Sequence, residues 1–210
     1  MTESFDDTVK TACGTELDRL AGDKVLLAAT DATLEEEAVV AAIRRPLQVT
    51  AERAEDWAGV AEGEAASALE GIAAGCREAD RAVRSAPDAE QPPEAPPDGP
   101  TMLALGEPET ALARAGACCV GAPPILDGLG LQGVSFFVNE ADTAGADRCR
   151  AVREEIRTAR ETAAEHLHAA CADEADREAV VAGAVAAVEA TYDRYAEALA
   201  GMGLDPKPIC

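Results

Sequence analysis

The chain has 210 residues and sets 40 Asp and Glu against 18 Lys and Arg, a formal net charge of -22. Self-repulsion on that scale excludes a nucleic-acid grip through a basic face, and it predicts a compact state that depends on dense screening counterions. Apolar residues make up 48% of the chain and recur with strong helical period, which excludes an acidic disordered chain.

The basic residues are fifteen Arg and only Lys10, Lys24 and Lys207, with 3% aromatics, a balance that fits adaptation to a salt-rich cytoplasm. Seven cysteines without C-x-x-C spacing give neither a disulfide framework nor a zinc site. Such thiols belong to the class of small buried hydrophobes in a reducing compartment. The opening MTESFDDTVK lacks the basic and apolar segments of a secretory leader, so a cytoplasmic location is expected.

Taken in chain order, Ser4 and Asp7 make a capping start, and Phe5, Val9, Cys13, Leu17 and Leu20 follow at three- and four-residue steps. The pattern predicts a first helix running through Lys24 to Thr30, with Gly22 as a weak point. Thr33, followed by three glutamates, reads as the cap of a second helix with the stripe Val39, Ile43, Leu47, Thr50, Ala54, Trp57 and Ala61. Pro46 lies inside it and is expected to kink it. The third helix carries the seam Ala65, Leu69, Ile72, Cys76, Ala79 and Val83.

Between Ser85 and Thr101 six prolines and a glycine deny helix and ladder alike, so a Pro-rich surface connection is predicted. Beyond it, Glu109 to Val120 and Ile125 to Glu140 read as two helices broken at Pro123-Pro124. The apolar stretch Ala115 to Val138 holds Asp127, both prolines and five glycines, which argues against a membrane span. Within it, Val134 to Val138 has strand-like propensity but reads as a buried helix end. Asp142 caps a long helix with the stripe Cys149, Val152, Ile156, Ala159, Ala163, Leu167 and Ala170. Asp173 caps the last, with the seam Val181, Val185, Val188, Tyr192, Tyr195, Leu199 and Met202, and Gly203 stops it. The expected fold is an all-α multi-helix bundle over residues 1–210: N-terminal helices in 1–84, the connection 85–101, C-terminal helices in 102–203 and a tail, 204–210.

Few residues form a chemical constellation. Gly128, Gly130 and Gly133 match G-x-G-x-x-G, but no strand pattern precedes them, so a nucleotide loop is not expected. Glu165 and His168 stand one helical turn apart in the E-x-x-H spacing of di-iron carboxylate sites, which need a second such pair and two further glutamates. His166 and His168 are the chain's only histidines, so that second pair does not exist. Adjacent Cys118 and Cys119 read as packing residues, and Cys210 as a tail thiol outside any C-a-a-X box. The arginines interleave with acids and are expected to make surface ion pairs with acids about one turn away.

Four stretches carry a family resemblance: LAGDKVLLAAT at 20–30, AERAEDWA at 51–58, FFVNEAD at 136–142 and YDRYAEALAGMGLDPKPIC at 192–210. Together they resemble the rubrerythrin-like proteins of halophilic archaea, some of which bear a transcription antitermination label. The resemblance implies a ferritin-like bundle and, in members with an intact site, iron held by carboxylates and histidine. By the same resemblance the ligand positions of the second and third helices fall at Gln48, Gly75, Cys76 and Ala79, and only Glu52 keeps a ligand-type side chain. Carbon and sulfur at those places predict a degenerate site with no catalytic residue and no cofactor. The protein would then be a structural or regulatory module working through protein partners or self-association. Two alternatives accompany that expectation. One is a peroxide-detoxifying di-iron oxidoreductase with Glu52, Glu161, Glu165 and His168 as metal candidates. The other is an antitermination factor acting through protein partners, with no direct grip on nucleic acid and no membrane.

Overall fold

The computed structural model describes residues 4–84 and 102–207, so the Pro-rich connection and Cys210 lie outside the described residues. Eight α-helices and one π turn make up the described secondary structure, with no strand among those residues. Helix α1 (Phe5–Leu20) starts where Ser4 accepts the Asp7 N–H at 3.1 Å, as the sequence predicts. It does not run on to Thr30. The helix ends at Leu20, a turn over 21–24 follows, and a separate short α2 spans Val25–Ala29. Gln132 stabilises the interruption by donating to the freed Ala21 carbonyl at 2.8 Å.

Helix α3 (Glu36–Ala58) begins later than Thr33 predicts and has no side-chain cap. Asp31 and Ala32 take left-handed φ values of 50° and 60°, so the chain becomes helical only past Glu35. Pro46 sits inside α3 without ending it. Helix α4 (Gly63–Val83) buries all six predicted seam residues.

Pro123-Pro124 does not break the chain into two helices. Helix α5 (Ala111–Gly116) passes into a π turn (Ala117–Gly121) and on into α6 (Ala122–Asn139) without a gap. In the π turn the Ala122 N–H bonds to the Ala117 carbonyl, five residues back. That wider loop brings both prolines into the first turn of α6, where a missing N–H costs little. The segment Val134 to Val138 is helical, as expected, and lies near the end of α6, but only Phe137 in it is buried, and Val138 faces solvent. Helices α7 (Thr143–Ala170) and α8 (Glu174–Gly201) start at Asp142 and Asp173, each accepting from the N–H three residues on. Gly203, at φ 73°, closes α8 with Leu204 N–H donating to Leu199 O at 2.9 Å.

Helices α3, α4, α7 and α6 form a ring in which each packs on the next. Named contacts fix their directions. Glu64 meets His166, and further along Gly75 meets Ala159, so α4 and α7 are antiparallel. Asp127 with Arg153 and Gly133 with Cys149 make α6 and α7 antiparallel. Gly133 with Ile43 and Arg114 with Trp57 do the same for α3 and the α5–α6 rod. A four-residue link joins α3 and α4 as a hairpin. Helices α4 and α6 therefore run in the same direction on one diagonal. Ahead of α5, Met102–Leu105 is buried on α8, where the Ala104 N–H donates to Thr191 Oγ1 at 3.0 Å.

Helix α8 stands outside the ring, packed on α1, α5 and the π turn. Its approach to α5 is backbone to backbone: a Cβ on Gly116 would strike the Val180 carbonyl, and one on Gly183 would strike that of Ala113. The face α8 buries early on is consequently Val180, Gly183, Ala184 and Ala187. The predicted Val181 and Val185 are only half-buried, while Val188, Tyr195 and Leu199 are buried as expected.

Candidate functional site

Two places on this scaffold bear on function: the interior of the four-helix ring, and a cleft where the α1–α2 turn meets the C-terminal tail. In the ring, Cys76 and Ala79 are fully buried and packed among carbon, with Leu69, Ile72, Val152 and Ile156 in the same core. Gly75 lies so close to α7 that a Cβ there would run into the Ala159 methyl. A glutamate at that position has no room. Gln48 is half-buried and donates to Asp80 Oδ1 at 3.3 Å.

The carboxylate and imidazole candidates do not converge. Glu52 is exposed on α3, whereas Glu161, Glu165 and His168 are exposed on α7, across the diagonal of the ring. His168 stacks on Phe5 with ring centroids 4.6 Å apart, and Arg177 lies on Phe5 as well. His166 pairs instead with Glu64 at 2.7 Å. Among the described residues no three His, Cys, Asp or Glu side chains are placed to hold a metal ion. The residues that the resemblance assigns to iron, and those left as candidates, therefore do not fit a di-iron group. Gly128, Gly130 and Gly133 lie inside α6, where they let Ala21, Arg153 and Cys149 approach closely.

Buried polarity in the ring is concentrated at one end. Asp80 accepts from Arg44 Nε at 2.8 Å and from Arg84 at 2.7 Å, with Asp80 and Arg44 both buried. Burial alone would push the Asp80 carboxyl up, but the bonds and charges of Arg44 and Arg84 outweigh it and hold the pKa below the usual range. This network joins α3 to α4. Other arginines also bridge elements rather than neighbouring turns: Arg153 to Asp127, Arg160 to Asp6, Arg77 to Glu55 and Arg148 to Glu36. The predicted local pairing holds for Arg84, Arg81, Arg150 and Arg157.

Cys118 and Cys119 face the core from the π turn, and Cys119 Sγ lies 3.5 Å from the Ala68 carbonyl. Burial pushes the Cys76 thiol up to about 12, and it raises Cys118 and Cys119 strongly as well. Thiols held neutral in this way are poor nucleophiles and poor metal ligands, consistent with their reading as packing residues.

The cleft is the feature that a pass along the sequence overlooks. Lys24 is the last residue of the turn after α1 and is only 8% exposed. Its ammonium donates to the Asp205 carbonyl at 2.8 Å and to the Lys207 carbonyl at 2.6 Å, fastening the tail across the turn. Beside it a cavity of about 350 Å³ is lined by Arg19, Asp18, Asp23, Lys24, Tyr195 and Pro206. Arg19 donates to the Tyr192 hydroxyl and lies over that ring, 5.6 Å from its centroid. Two stretches far apart in the chain, LAGDK and the proline-containing tail, thus build one wall together. The available signal was the rarity of lysine, since only three exist in the chain.

No family model matches this chain, and neither curated proteins nor solved structures give a match to it.

Proposed function

We propose that this chain is a rubrerythrin-related, ferritin-like helical protein whose di-iron site is degenerate, and that it serves a salt-adapted cell as a structural or regulatory interaction module. Two antiparallel helix pairs, α3 with α4 and α6 with α7, set so that α4 and α6 are parallel, match the helix directions of ferritin-like bundles and support the first half of that reading. The observation that carries the second half is the packing at Gly75, Cys76 and Ala79. Where a metal-binding relative needs oxygen and nitrogen ligands, this chain has backbone pressed on α7, a neutral thiol and a methyl group. Such a bundle keeps its shape through carbon packing and the Asp80 network, and presents an acidic, arginine-laced exterior to its partners.

Metal analysis after expression in iron-rich medium and purification in high salt tests the reading. Far less than one iron per chain is the expected result. About two irons per chain, with oxo-bridged absorption after ferrous iron and peroxide, would overturn it in favour of the oxidoreductase.

A further inference from the structure

We infer that the cleft under the C-terminal tail is a binding site for a small zwitterion, a molecule carrying both a carboxylate and an ammonium group. The inference concerns a different part of the molecule from the ring interior and does not depend on the iron reading.

Its basis is an imbalance of charge. Acids outnumber bases by 40 to 18, so a cation without a carboxylate partner is unexpected in this chain. Among the described residues neither Lys24 nor Arg19 has a carboxylate at ion-pair distance, and both line the cleft. Lys24 is buried, yet among the described residues its only partners are two neutral carbonyls. An ammonium has three N–H donors, so the described partners leave one. Arg19 is half-buried and bonded to a neutral phenol. A buried cation hydrogen-bonded to neutral groups is costly, and a carboxylate entering the cleft beside Lys24 and Arg19 would relieve that cost.

The mouth of the same cleft has the opposite sign. Asp18 and Asp23 line it, and both are exposed. With cations inside and carboxylates at the rim, the cleft repels phosphate or a dicarboxylate at its entrance while satisfying a ligand whose own carboxylate points inward and whose ammonium stays at the mouth. The volume, about 350 Å³, is that of a small-molecule site. Pro206 supplies one wall, and the carbonyls on either side of it are the ones Lys24 holds. The tail is therefore part of the site.

The test is amide NMR of the full chain titrated with L-glutamine, and separately with glutarate, 1-aminobutane and inorganic phosphate. Saturable shifts at the Gly22, Asp23 and Lys24 amides are expected with L-glutamine at millimolar concentration or below. Glutarate and the amine should bind at least about tenfold more weakly, which is the loss of one charged contact. Lys24→Met leaves two carbonyls without a donor and can unfold the region, so Arg19→Gln and Asp23→Asn carry the test. Each should weaken binding several-fold with the helical circular dichroism unchanged. Absence of any saturable shift with L-glutamine, equal binding of glutarate or phosphate, or unaltered affinity in both variants would each overturn the inference.

Discussion

Replacing Gly183 by alanine separates two effects that usually travel together. In an exposed helix interior Gly→Ala stabilises by about 0.5–1 kcal/mol, because glycine has more backbone freedom to lose on folding. Gly71, in the middle of α4, has open space where a Cβ would stand, so Gly71→Ala should gain that amount. Gly183 is also helical, but its Cβ would overlap the carbonyl, carbonyl carbon and Cα of Ala113, all backbone atoms with no rotamer to yield. Relief requires moving α5 off α8, and overpacking of this kind costs about 1–3 kcal/mol or somewhat more. Overlap with three backbone atoms puts Gly183 in the upper part of that range, about 2–2.5 kcal/mol, and subtracting the propensity gain leaves a net loss of about 1–2 kcal/mol. For a chain of this size each kcal/mol shifts Tm by about 2–4 °C, so Gly183→Ala should melt about 2–8 °C lower and Gly71→Ala about 1–4 °C higher. Thermal unfolding followed by circular dichroism in one high-salt buffer measures both. The pair Gly116→Ala and Gly183→Ala should lose less than the sum of the singles, since both open the same interface. A Gly183→Ala protein that melts at or above the parent would refute the backbone-to-backbone packing of α5 on α8.

Asp80→Asn strands Arg44 and Arg84 beside a neutral group and should cost about 3 kcal/mol in urea unfolding at pH 7. The Asp80 pKa is depressed in the fold, so its stabilisation is complete above the unfolded value of about 3.9 and lost as pH falls through the lower folded value; the gap between parent and variant should close below about pH 4. Ala141→Gly should raise stability by about 1 kcal/mol in the same assay, because Ala141 holds a φ of 58° between α6 and α7. Labelling by a thiol reagent at pH 8 should leave Cys76, Cys118 and Cys119 unmodified until the protein unfolds, whereas half-buried Cys171 reacts in the native state. Native labelling of the first three on the same timescale as Cys171 would contradict the packing around the π turn.

The sequence by itself determined most of the helical segments, though not the break at 21–24 or the continuity through Pro123-Pro124, and, for α4 and α7, which face is buried. There the apolar seam repeats every three or four residues without interruption, and the caps Ser4, Asp142 and Asp173 act through bonds to the N–H three positions on. It also shows that Gly75, Cys76 and Ala79 carry neither carboxylate nor imidazole, because that is a property of residue type. Only the tertiary structure decided matters that join distant parts of the chain. The buried face of α8 is turned away from Val181 and Val185 because Gly116 and Gly183 admit the α5 backbone, and no period within α8 encodes that neighbour. The prolines at 123 and 124 continue a helix because a π turn ahead of them removes the clash. Lys24 becomes a buried cation only when residues 205 and 207 fold over it. Periodicity records how often a position meets apolar surroundings, whereas the identity of the atom it meets is set by packing between segments that a linear pattern does not relate.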